Sequence, residues 1–123
     1  MPLSARLVTA GLSALQAQAI QGTVADALTA TGTSSQTASF PLAADVNRFT
    51  TVAANAGALL PLMNPGDSMT IFNGGANALL LFPPVGAKIN AIATNGSYSV
   101  ATATPYVDVY CISPLQYIAS QSA

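Results

Sequence analysis

The segment Ser68-Met69-Thr70-Ile71-Phe72-Asn73-Gly74-Gly75-Ala76-Asn77-Ala78-Leu79-Leu80-Leu81-Phe82 decides the fold class. Two short apolar runs flank a cluster of asparagine and glycine, which reads as two strands joined by a hairpin turn, with glycine supplying the positive φ. Ala78 to Phe82 is apolar on both sides. In an antiparallel protein such a strand has both faces covered, either by a neighbouring subunit or by an N-terminal helix.

Outward from this segment, turn signals recur about every ten residues from Gly22 onward, the pattern of an all-β sandwich or barrel. Expected strands are Ala25–Thr29, Ser35–Phe40, Arg48–Ala53, Ala58–Leu62, Ser68–Asn73, Ala78–Phe82, Lys88–Ile92, Tyr98–Ala101, Tyr106–Ile112 and Gln116–Ala119. Asn95-Gly96 reads as a second hairpin turn, between the Lys88 segment and Tyr98. Pro65-Gly66-Asp67 is a third turn, in which proline presets φ and glycine relieves the next position. Along Tyr106 to Ile112, Val107, Val109 and Cys111 share one face. Tyr106, Asp108, Tyr110 and Ile112 share the other, which is also mostly apolar or aromatic. No exact internal repeat emerges.

The first 21 residues differ from the rest. Leu7, Val8, Leu12, Leu15 and Ile20 fall near one side at imperfect helical spacing, giving one helix or two turns broken at Gly11. A nearly uncharged helix of this length is marginal alone in water and needs burial, against its own domain or another subunit. Ala17-Gln18-Ala19 imitates a signal-peptidase site. Gly11, Ser13, Gln16 and Gln18 interrupt any hydrophobic core ahead of it, so cytosolic synthesis is expected. The organisation read from the sequence is therefore an N-terminal arm or helix over 1–21 and a β-sandwich domain over 22–123.

Only 6% of the 123 residues are charged and 51% are hydrophobic. The longest apolar run, Ala76 to Ala87, is broken by Asn77 and Pro83-Pro84, too short to span a bilayer as a helix. Arg6, Arg48 and Lys88 are the only cations and net charge is −1, so nucleic acid is an unsuitable partner. Neither a membrane nor a nucleic-acid partner is expected.

Histidine and glutamate are absent, leaving Asp26, Asp45, Asp67 and Asp108 as the carboxylates. Asp67 reads as a turn residue and Asp45 as a residue bonding local amides ahead of a strand. Asp108 sits mid-strand, facing solvent or pairing with Arg48 across a sheet or subunit boundary. Cys111, the single cysteine, has no histidine to activate it and reads as a small core residue. Zinc lacks its ligands, and no loop concentrates acidic residues for calcium. No catalytic, cofactor-binding or metal-binding residue is expected, and the chain reads as non-enzymatic.

The segment Thr31 to Ala38, then Leu42-Ala43-Ala44-Asp45-Val46-Asn47 and Thr50-Thr51-Val52-Ala53, resembles small structural proteins of tailed phages and prophages. The likeness continues through Leu60-Pro61, Gly66-Asp67-Ser68, Asn73 to Leu79, Pro83 to Asn90 and Ser99-Val100-Ala101, covering roughly Gly32 to Cys111. That resemblance implies an antiparallel jelly-roll-like β-sandwich acting as a capsid decoration, or cement, protein or as part of a head fibre. Its expected partners are the major capsid protein and copies of itself, in a homo-oligomer expected to be a trimer on the outer surface of the phage head. The competing reading is a head-fibre or adhesin-like module that recognises cell-surface glycans, with Tyr98, Tyr106, Tyr110 and Tyr117 as stacking surfaces. Fully burying a Leu, Ile or Phe contributes roughly 1.5–3 kcal/mol, whereas an exposed ion pair contributes about 0–1 kcal/mol. A chain with so few charges relies on the first kind of contact.

Overall fold

The computed structural model describes residues 22–102 and 106–121, which form ten strands. In chain order these are β1 (Val24–Thr29), β2 (Phe40–Pro41), β3 (Val46–Thr51), β4 (Gly57–Leu59), β5 (Ser68–Asn73), β6 (Leu79–Phe82), β7 (Lys88–Ile89), β8 (Tyr98–Val100), β9 (Val107–Ser113) and β10 (Gln116–Gln121). Each overlaps an expected segment. Of Ser35–Phe40, however, β2 keeps only Phe40, because Gln36 to Ala38 turn and the Ser39 N–H donates back to the Gln36 carbonyl. The expected arm over 1–21 lies outside the described residues.

The strands make a large sheet, in the order β1-β3-β5-β9-β10-β7, and a small sheet, β2-β4-β6-β8. From β1 to β6 the chain changes sheet at every connection. It therefore coils, laying each new strand beside the strand two before it. The expectation of an antiparallel sandwich is corrected here. β1·β3, β3·β5, β2·β4, β4·β6 and β7·β10 are parallel, and only β5·β9, β9·β10 and β6·β8 are antiparallel. A jelly roll is assembled from antiparallel Greek keys, whereas this coil is not.

The hairpin expected across Asn73-Gly74-Gly75-Ala76-Asn77 is likewise a corner between sheets, since β5 lies in the large sheet and β6 in the small one. The buried Asn73 side chain organises it. Its Nδ2 donates to the Asn77 and Val100 carbonyls, both at 3.0 Å, and its Oδ1 accepts the Gly75 N–H. Asn77 then donates through Nδ2 to the Val52 carbonyl at 2.8 Å. Gly74 and Gly75 are not in the left-handed region. Glycine is required at 75 for space, because a Cβ there would lie 2.6 Å from Val52 Cγ2.

Asn95-Gly96 is also no hairpin, since β7 pairs with β10 and β8 with β6. Asn95 itself takes positive φ, and its Oδ1 accepts the Gly86 N–H at 2.7 Å. The third expected turn is present. Gly66 has φ +93° and the Asp67 N–H donates to the Asn64 carbonyl, a type II turn with Pro65 at its first corner.

Period-two alternation points Phe49 of β3, Met69 and Ile71 of β5, Val107, Val109 and Cys111 of β9, and Tyr117 and Ala119 of β10 inward. They share one core with Ala58, Leu79, Leu81 and Val100 of the small sheet. On the second apolar side of β6, Leu80 is half-buried and Phe82 buried; Gly57, paired with Leu80, has no room for a side chain, since a Cβ there would lie 2.7 Å from Ser39 Oγ and 3.0 Å from the Phe82 ring. Tyr117 is fully buried, and its hydroxyl oxygen accepts the Met63 N–H at 3.2 Å.

All four sheet edges are blunted. β2 and β7 have two residues each and β8 three, and Pro41 sits on edge strand β2. Beyond β7, the Asn90 amide takes both backbone groups of Ala119, donating to its carbonyl and accepting its N–H. Gln121 does the same for β8, accepting the Ala101 N–H and donating to the Ser99 carbonyl. The longer edge strand β1 is bulged between Ala25 and Leu28, with Ala27 at φ +55° and its N–H bonded to Asp26.

Two predictions test this architecture. Gly75→Ala is expected to destabilise the fold by about 2 kcal/mol in denaturant titration, through overpacking against Val52. Burial pushes the Tyr117 pKa above its ordinary value. A raised folded-state pKa gives stability that is complete below the unfolded-state value and lost as pH rises through the folded one. Stability is therefore expected to fall on the alkaline side of the ordinary tyrosine pKa. Tyr117→Phe should reduce that alkaline loss and lower stability at neutral pH by about 1 kcal/mol.

Candidate interaction face

The outer face of the large sheet is built from the alternate residues of β5, β9 and β10, because the inward positions belong to the core. Register places these residues in rows. Ser68, Tyr110 and Ile118 lie side by side across the three strands, and Thr70, Asp108 and Ser120 form the neighbouring row. Beyond that row, the Phe72 and Tyr106 rings meet edge to face with centroids 6.2 Å apart. On the other side, Ile112 projects at the β9·β10 bulge and Leu115 at the hairpin turn that follows. Tyr106, Tyr110, Ile112, Leu115 and Ile118 are 41, 47, 58, 61 and 39% exposed.

This is the second β9 face marked out by the sequence, and among the described residues it stands open. The polar row across it is hydrogen-bonded locally. Asp108 is half-buried and its Oδ1 accepts the Thr70 hydroxyl at 2.8 Å. Arg48 does not reach Asp108. It pairs instead with Asp26 on the neighbouring strand β1, at 2.5 Å from Nε to Oδ1, because parallel β1·β3 pairing places the two side by side. That hydrogen bond, helped by the Ala27 N–H, holds the Asp26 carboxyl below the usual aspartate value.

The remaining carboxylates tie turns together. Asp45 accepts the Thr23 N–H at 2.8 Å and the Thr23 hydroxyl at 3.2 Å, so its partner lies far off in sequence and not among local amides. Asp67 accepts the Asn64 N–H within its own turn. Both line a shallow cleft of about 450 Å³ between the Ala43–Asp45 and Gly66–Met69 segments. Among the described residues, no three potential metal ligands lie together. Cys111 is buried, with its thiol directed at the Met63 and Ser113 carbonyls.

Of the four tyrosines weighed as stacking surfaces, Tyr117 is fully buried, and Tyr98 is half-buried with its hydroxyl accepting from Gln121. Only Tyr106 and Tyr110 present open rings, and they belong to the apolar face. Sequence reasoning missed the roles of Asn90 and Gln121, whose edge-capping amides contact residues remote in the chain. No helix among the described residues is long and apolar enough to cross a membrane. Comparison with protein-family models, with curated proteins and with solved structures finds no match.

The ion pair yields a measurement. A depressed folded-state pKa gives stability that is present above the unfolded-state value and lost as pH falls through the folded one. Carbon-detected NMR of the Asp26 carboxyl should show a midpoint below 3.8, moving up toward that value in Arg48→Ala. An unchanged midpoint would mean that the pair does not form in solution.

Proposed function

We propose that this chain is a non-enzymatic structural protein, a capsid decoration or cement protein of a tailed phage. It binds the outside of the assembled head as a homotrimer and ties neighbouring capsomers together. The observation that carries this reading is the open apolar face of β5, β9 and β10 on a chain with almost no charge. A protein of this kind holds its partners by apolar burial and shape, and repetition around a symmetric shell turns modest contacts into tight attachment. The resemblance of the ordered segments from Gly32 to Cys111 to small structural proteins of tailed phages, and two sheets sharing one core, support this reading. Synthesis takes place in the host cytoplasm, before the protein joins the virion.

The test is co-sedimentation with phage heads and, separately, with unassembled major capsid protein. Retention on assembled shells but not on free subunits is the expected outcome. Equal binding to both would overturn the bridging role, and selective retention on a glycan array with no head binding would replace it with the adhesin reading.

A further inference from the structure

We infer that the outer face of β5, β9 and β10, centred on Tyr110 and Ile118, is where a second copy of this chain docks. The inference rests on the proposed self-association and says which surface performs it.

Three observations select the occupant. The first is that backbone edges are closed to strand addition. β1 is bulged, β2 and β7 are two residues long, and amide side chains cap the chain beyond β7 and along β8. Association is left to side chains on a face.

The second is area. With roughly 150–250 Å² on a whole large side chain, the exposed fractions of Tyr106, Tyr110, Ile112, Leu115 and Ile118 leave on the order of 500 Å² of apolar surface. An interface between like subunits of about 800 Å² per partner, about 65% apolar, needs a similar amount.

The third is charge. Copies that meet through the same face bring like groups together. Here the acid among the three strands' outward rows is Asp108, half-buried and bonded to Thr70; at the flanks Arg48 is paired with Asp26, and the exposed Lys88 of β7 stands beside Gln116 of β10. Such a face repels its own copy weakly and offers little to a strongly charged partner. Tyr110 occupies the middle row, with Ser68 and Ile118 on either side, the position in which an aromatic anchor is most effective.

The experiment measures the mass of the full chain by light scattering after gel filtration, over a range of concentrations, for the wild type, Tyr110→Glu, Ile118→Glu and Ser99→Glu. Ser99 is exposed on the small sheet and controls for added charge. Both face variants are half-exposed in the single chain and should keep the wild-type circular dichroism and melting temperature. The expected result is an oligomeric wild type and Ser99→Glu, with both face variants dissociating at concentrations about tenfold higher or more. A monomeric wild type would overturn the self-association reading itself. Unchanged oligomers in both face variants, or dissociation in Ser99→Glu alone, would overturn only the choice of face. Face variants that keep their oligomeric state but lose binding to assembled heads would assign the face to the capsid and overturn the inference.

Discussion

Each connection from β1 to β6 must carry the chain from one sheet to the other, and a backbone leaving a ladder loses its hydrogen-bond partners at each corner. At the β5–β6 corner and in the loop after β6 neutral amide side chains meet that need, whereas Asp45 and Asp67 tie earlier turns. Asn73 and Asn77 satisfy the β5–β6 corner, and Asn95 holds the Gly86 N–H in the loop between β6 and β7. An uncharged amide can be buried at the cost of its hydrogen bonds alone, whereas a buried charge needs a counter-charge as well. The same constraint fixes Gly75, because the corner passes too close to Val52 for any side chain. A composition rich in asparagine, threonine and serine and poor in charge is thus what a coil with many tight corners uses.

This explains why the strands were legible in the sequence and their partners were not. Period-two alternation and turn residues report local backbone state, which is why β3, β5, β9 and β10 fall on expected segments. Pairing is another matter. Asn-Gly-Gly-Ala-Asn has the same turn chemistry in a hairpin and in a corner, and what separates them here is the bond from Asn73 to Val100, far along the chain. Parallel neighbours such as Val24, Val46 and Thr70 come from successive circuits that share no sequence repeat.

The interaction face shows the same division. That Tyr106, Asp108, Tyr110 and Ile112 share one side of β9 follows from alternation alone. Whether the side is open does not, because β6 looked equally two-sided yet Leu80 is half-buried and Phe82 buried on its second side, while Tyr110 and Ile112 of β9 are exposed. Asp108 and Arg48 were compatible as partners on residue type. Parallel pairing gave Arg48 to Asp26, and Thr70 satisfies Asp108 instead.

Edges and faces have opposite consequences for a nearly uncharged chain. One lysine and no glutamate are present to repel a foreign strand, so an open ladder edge would pair with any extended segment it met. Asn90 and Gln121 narrow that route at two edges by occupying backbone groups of Ala119, Ser99 and Ala101, while a bulge in β1 and the shortness of β2 serve the others. The open apolar face carries no such promiscuity, since contact there depends on the shape of Tyr110, Ile112 and Ile118 and on a partner that fits them. Closing the edges with neutral amides while leaving one face apolar therefore turns a low-charge sequence from an aggregation hazard into a surface that can select its partner by shape.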